Sequence, residues 1–173
     1  MIRETKLRLQ KMSIYALFLL LLYVLQSTPG FLEFWGVKPL LVLPLVVSIA
    51  MVEGELVGGL FGLAAGILCD SSAITIFGIN SLIYMTACVA IGLLVIYYMQ
   101  PSRLNSLIFT AIVLTCRQLF EFFFYYVMWS YENISIILLR HMLPVVLLTL
   151  LTTPLMFWLV QNVHGYYRRK LHD

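Results

Sequence analysis

At 173 residues the chain is long enough for one domain and leaves almost nothing over for a second. Hydrophobic residues make up 62% of it and charged residues 11%, with a mean hydropathy of +0.97, outside the range of water-soluble domains. The net charge of +3 is no nucleic-acid footprint, because the basic residues cluster at the chain ends in a membrane-surface pattern: Arg3, Lys6, Arg8 and Lys11 at one, Arg168, Arg169 and Lys170 at the other.

Six apolar segments are predicted, at roughly 12–26, 39–52, 55–69, 78–99, 104–129 and 135–163, together forming a single integral membrane domain over 1–173. The first follows a basic start but no small-residue cleavage site follows it, so it reads as an uncleaved transmembrane helix and not as a signal peptide. The second and third are short against the 20 or so residues a bilayer asks for, and read either as two true spans or as a re-entrant hairpin. Both chain ends are basic, so the positive-inside rule places both in the cytoplasm and requires an even number of crossings. Six crossings put Arg103 on the cytoplasmic side with the termini and leave only Lys38 among the outer loops. Glu53 and Glu55 then fall in a cytoplasmic turn, where acidic residues weigh little in that rule. Asn133-Ile-Ser135 matches a glycosylation acceptor, a pattern without meaning in a bacterial chain.

The third segment carries a glycine at every fourth position, Gly54, Gly58, Gly62 and Gly66, and the next step of four lands on Asp70. Residues four apart lie one above the other on a helix, so the glycines make a bare groove. Each step overshoots a full turn by about 40°, and the groove winds slowly round the helix. In lipid, such grooves let helix backbones approach closely. The groove therefore predicts a helix packed against it, supplied by a partner or by this chain itself. Asp70 opens Asp-Ser-Ser, suited to capping a helix or turning the chain, or to meeting a basic or hydroxyl group across the packed interface.

Arg117 and Glu121 stand four apart in the fifth segment, on one helix face and near its middle. Each alone costs about 2.5–3.5 kcal/mol at a helix centre on insertion scales, so an intramembrane ion pair is expected, structural or part of a substrate or proton site. Arg140 and His141 lie near the outer face of the last segment, placed to snorkel to headgroup phosphate or to meet a partner. Pro144 and Pro154 predict kinks in the same helix. Cys69, Cys88 and Cys116 show no ligand-like spacing, and no carboxylate pair, Ser/His/Asp grouping or metal-ligand cluster stands out. No catalytic residue, metal or cofactor is expected.

On the run Lys38-Pro39-Leu40-Leu41, then Gly58-x-x-x-Gly62-x-x-x-Gly66-x-x-x-Asp70, then Gly78-Ile79-Asn80-Ser81-Leu82, the chain resembles the rod-shape-determining protein MreD family. The resemblance implies a non-enzymatic component of the bacterial inner membrane within the cell-elongation machinery. It implies pairing with an MreC-like partner, beside MreB, RodA and the elongation penicillin-binding protein, in directing lateral peptidoglycan synthesis. It also implies an all-α, six-helix fold similar to the substrate-binding subunits of energy-coupling-factor transporters, and with it a rival reading as a vitamin-uptake subunit. Membrane lipids are expected neighbours and nucleic acid is not.

Overall fold

In the computed structural model, residues 2–28, 38–72, 77–123 and 143–172 are described. Six helices make up nearly all of them: α1 (Ile2–Ser27), α2 (Val42–Glu53), α3 (Glu55–Ser72), α4 (Ile79–Tyr97), α5 (Arg103–Phe122) and α6 (Leu143–His172). Four are long and apolar enough to cross a membrane, over Lys6–Ser27, Glu55–Ser72, Ile79–Tyr97 and Pro144–Lys170. The other two differ for separate reasons: α2 has only 12 residues, and α5 carries Arg117, Gln118 and Glu121. The predicted extension of the fifth segment to 129 and the predicted start of the sixth at 135 lie outside the described residues.

The shortest helix is the centre of the molecule. Every residue of α2 from Val42 to Met51 is buried, and α2 touches each of the other five helices. A helix apolar all round has no face for water, and here it has none for lipid either. Its buried N-terminus needs acceptors for its free N–H groups. Gln26 of α1 supplies them with Oε1, accepting from Leu41 N at 2.9 Å and Val42 N at 3.3 Å, and Thr149 Oγ1 of α6 accepts from Leu40 N at 3.1 Å. Pro44 sits in the first turn, where its missing N–H leaves no bond unmade.

These contacts fix the helix directions. Gln26 meets the start of α2 and Lys11 meets its end at Glu53, so α1 and α2 run antiparallel over about 22 Å of α1. Thr149 and His164 of α6 meet the same two ends in the opposite order, so α6 runs parallel to α2. Gly54, with φ 92°, makes the sharp reversal into α3, its N–H donating to Ala50 O at 3.1 Å. A side chain at that φ would be strained. The six helices thus alternate in direction, and α1 begins on the same side of the bundle as α6 ends.

Pro154 interrupts the hydrogen-bond ladder of α6 without ending the helix, which continues to His172. Just ahead of it the hydroxyls of Thr152 and Thr153 donate to Thr149 O at 2.8 and 3.0 Å, while the carbonyl that the proline leaves without a helical donor is that of Leu150. The residues before Leu143 lie outside the described ones, and with them the turn that Pro144 would disturb.

Candidate functional site

The glycine groove is filled from within the chain. A Cβ at Gly58 would lie 2.5 Å from Ala50 Cα on α2; at Gly62, 2.7 Å from the Tyr84 carbonyl oxygen; at Gly66, 2.2 Å from Ser81 Cα on α4. From α4, Gly92 answers with its own bare spot, 2.5 Å from Glu55 Cα. Tyr84 and Cys88 are buried in the same seam. The winding of the ladder explains why its glycines serve two neighbours, α2 at Gly58 and α4 further along. At Gly54 a Cβ would lie 3.5 Å from the Ile96 side chain. Any helix from another chain entering this groove would have to displace α4. The opposite side of α3 carries exposed Leu56, Leu60 and Ile67.

Asp70 ends the ladder and is 3% exposed. Its carboxylate caps α4 from outside that helix. Oδ2 accepts from Gly78 N at 3.1 Å, Ser81 N at 3.0 Å and Ser81 Oγ at 2.6 Å, and Oδ1 accepts from Asn80 N at 3.2 Å and Asn80 Nδ2 at 2.9 Å. Gly78 stands at the N-cap with φ 102° and no side chain to do this work, so a carboxylate eight residues upstream does it instead. A negative group at a helix N-terminus is favoured by the helix dipole as well as by the hydrogen bonds. Asp70 is thus a cap, as one reading of Asp-Ser-Ser had it, but of the neighbouring helix, and it takes a hydroxyl across the interface as the other reading had it.

Asn80 carries the network onward. Its amide nitrogen donates to Asp70, which leaves Oδ1 to accept from Arg117 Nε of α5 at 2.8 Å. Arg117 Nη1 lies 3.6 Å from Glu121 Oε2, with the arginine side chain 14% and the glutamate 39% exposed. The arginine is therefore held more closely by a neutral amide on α4 than by the acid four residues along. Its contact with Asn80 sets Arg117 level with Asp70 among the described helices, while the rest of the predicted 26-residue segment lies outside the described residues. Asp70, Asn80, Arg117 and Glu121 join α3, α4 and α5 at the Asp70 end of the bundle. Arg140 and His141 lie outside the described residues.

A second polar cluster occupies the opposite end. Glu53, at the last turn of α2 and beyond the apolar run that ends at Val52, is 7% exposed at its side chain. It accepts from Lys11 Nζ at 2.5 Å and from the Tyr15 hydroxyl at 2.9 Å, both on α1, and meets His164 Nδ1 of α6 at 2.8 Å. Its carboxylate gathers donors from two other helices and so ties α1, α2 and α6 together. Sequence reading noted Glu53 only as an acid on a basic side. The signal available was Lys11 and Tyr15, four apart and so on one face of α1; nothing in the sequence brings His164 to Glu53 from 111 residues away.

Among the described residues no group of three or more His, Cys, Asp or Glu side chains is placed to hold a metal ion. What the two clusters do chemically is clasp helices, each placing a carboxylate among donors from other helices.

Comparison with the curated proteins and with the solved structures gives no match. The family model of the rod shape-determining protein MreD matches residues 6–165, which include nearly all of the described helices and both polar clusters. The chain belongs to the MreD family of rod shape-determining membrane proteins.

Proposed function

We propose that this chain is a non-enzymatic scaffold of the bacterial cell-elongation machinery, which crosses the cytoplasmic membrane six times with both termini in the cytoplasm. It pairs with an MreC-like partner and, beside MreB, RodA and the elongation penicillin-binding protein, helps direct lateral peptidoglycan synthesis. The observation that carries this reading is the family match over residues 6–165. The alternating helix directions support an even number of crossings. With α1 beginning and α6 ending on one side, Arg8, Arg103, Arg168, Arg169 and Lys170 gather at the Glu53 end of the bundle, as the positive-inside rule asks of a cytoplasmic face. The short α2 traverses the bundle inside a sheath of protein, so its 12 residues, about 18 Å, need not match the hydrocarbon thickness. The rival reading as an uptake subunit has no observation of its own behind it.

Two experiments test the proposal. A phosphatase fused to the C-terminus should be inactive, and a fluorescent protein there should be bright; an active phosphatase overturns the six-crossing orientation. In host cells depleted of this protein, rods should round up and re-expression should restore them. Depleted cells that keep their shape and their lateral wall synthesis overturn the role in elongation.

A further inference from the structure

The α1 helix lies on the outside of the bundle, and one stripe of it runs continuously from polar to apolar. Lys6, Gln10, Ser13, Leu17, Leu21 and Val24 are spaced three and four apart and so share a face. All six are exposed, the last three at 65%, 50% and 60%. The polar end of this stripe opens into a groove of about 430 Å³ against α6, where Tyr167 forms the facing wall and Leu9 and Ile14 of α1 complete the lining.

The charges around the groove are unequal. Lys11 is neutralised by Glu53 and turned into the bundle, whereas Lys6 has no carboxylate partner among the described residues. Just beyond Tyr167, α6 adds Arg168, Arg169 and Lys170, the last with Nζ 5.6 Å from the centre of the Tyr166 ring. The groove therefore joins a free cation, an amide and two hydroxyls to an apolar track that continues toward the far end of α1. An amphiphile with an anionic head and an acyl tail has that same order of parts.

We propose that this groove is a binding site for one anionic phospholipid, its phosphate against Lys6, Gln10 and Tyr167 and an acyl chain along Leu17, Leu21 and Val24. The site rests on the membrane orientation proposed above only for the leaflet it faces, the cytoplasmic one, and not on the role in cell elongation. Basic pockets between helices on the cytoplasmic side are suited to such headgroups, and the tyrosine ring and lysine stem lie comfortably at the depth where apolar and polar phases meet.

The test is native mass spectrometry of the purified full chain in micelles containing equal amounts of phosphatidylglycerol and phosphatidylcholine. Wild-type protein should retain one phosphatidylglycerol in preference to phosphatidylcholine, and Lys6→Gln should lower that preference about fivefold, the effect of one cation near an anionic lipid surface. Lys6 is exposed, so the variant should fold as wild type. Arg103→Gln, at the same end of the bundle but outside the groove, should leave the preference unchanged, and millimolar inorganic phosphate should not displace the lipid. Equal retention of both lipids, an unaffected Lys6→Gln, an equal loss in Arg103→Gln, or displacement by phosphate alone would each overturn the site. The C-terminal fusion decides the leaflet separately, so a wrong orientation and a missing site give different results.

Discussion

Gly66→Ala adds one methyl group where, among the described glycines, a side chain has the least room. The new Cβ would lie 2.2 Å from Ser81 Cα, 2.5 Å from Ser81 N and 2.8 Å from Asn80 O, where carbon atoms ordinarily keep about 3.5–4 Å. All three obstacles are backbone, so no rotamer change relieves them, and α3 and α4 must part locally by about 1.5 Å. Asp70 lies one step further along the same face, and its bonds to Ser81 at 3.0 and 2.6 Å and to Asn80 at 3.2 Å depend on that approach. Overpacking of this kind costs about 1–3 kcal/mol, and each hydrogen bond to a charged group that is stretched out of range adds about 1.5–3 kcal/mol. With partial relaxation the expected loss is about 3–5 kcal/mol. The assay is thermal unfolding in detergent, followed by size-exclusion chromatography of a fluorescent fusion. Gly165→Ala, where an added Cβ meets nothing within 4 Å, is the control and should be neutral or slightly stabilising. Gly66→Ala protein as stable as wild type would refute the reasoning. So would protein that stays folded and inserted and has lost only a partner, because the groove would then face outward.

Glu53→Gln leaves Lys11 facing a neutral amide in a buried site and should lower folded yield, while Glu53→Gln combined with Lys11→Met should recover part of it, since removing one partner of a buried pair costs more than removing both. Arg117→Met strips Asn80 of its donor and takes the arginine from Glu121, and should destabilise by about 2–3 kcal/mol; Glu121→Gln, at a side chain 39% exposed, should cost less than about 1 kcal/mol. Equal losses from these two substitutions, read by the same unfolding assay, would show that the ion pair and not the asparagine holds the arginine.

The sequence carried the helices and the close packing, because both leave local marks. Composition announces the membrane, and a four-residue glycine period announces a groove whatever fills it. What fills it is a matter of topology. The partners of Gly62 and Gly66 are Tyr84 and Ser81, and nothing at position 62 or 66 favours them over a helix from another chain. Asp70 was legible as a cap, yet the helix it caps is not its own but the next one, which begins at Ile79. Arg117 invited pairing with Glu121 because four residues is the visible spacing, and its tighter contact with Asn80, 37 residues earlier, is a consequence of how α4 and α5 meet. The Glu53 cluster was hidden for the same reason, its members being drawn from three helices spread over the whole chain.

The glycine ladder, Asp70 and the residues that open α4 are folding residues in this structure. Gly58, Gly62, Gly66 and Asp70 face α2 and α4, Gly78 begins α4 and Asn80 and Ser81 bind Asp70, so their side chains and bare spots lie inside one seam. In lipid there is little hydrophobic drive to bring two helices together, and close backbone approach has to supply the attraction. A polar clasp at the end of such a seam does something packing alone cannot. A ladder of identical glycines would tolerate a slip of one step of four, about 6 Å along the axis, whereas Asp70 finds its five donors in one register only. The ladder makes α3 and α4 adhere, Asp70 fixes their register, and Arg117 anchors α5 to the same point through Asn80. At the other end Glu53 does the equivalent for α1, α2 and α6. Between them the two clasps reach all six helices, and α2 lies enclosed by the other five with both of its ends tied. The means of holding these helices in one arrangement lie between them, apart from the outward faces of α1 and α3 that carry exposed Leu17, Leu21, Leu56 and Leu60.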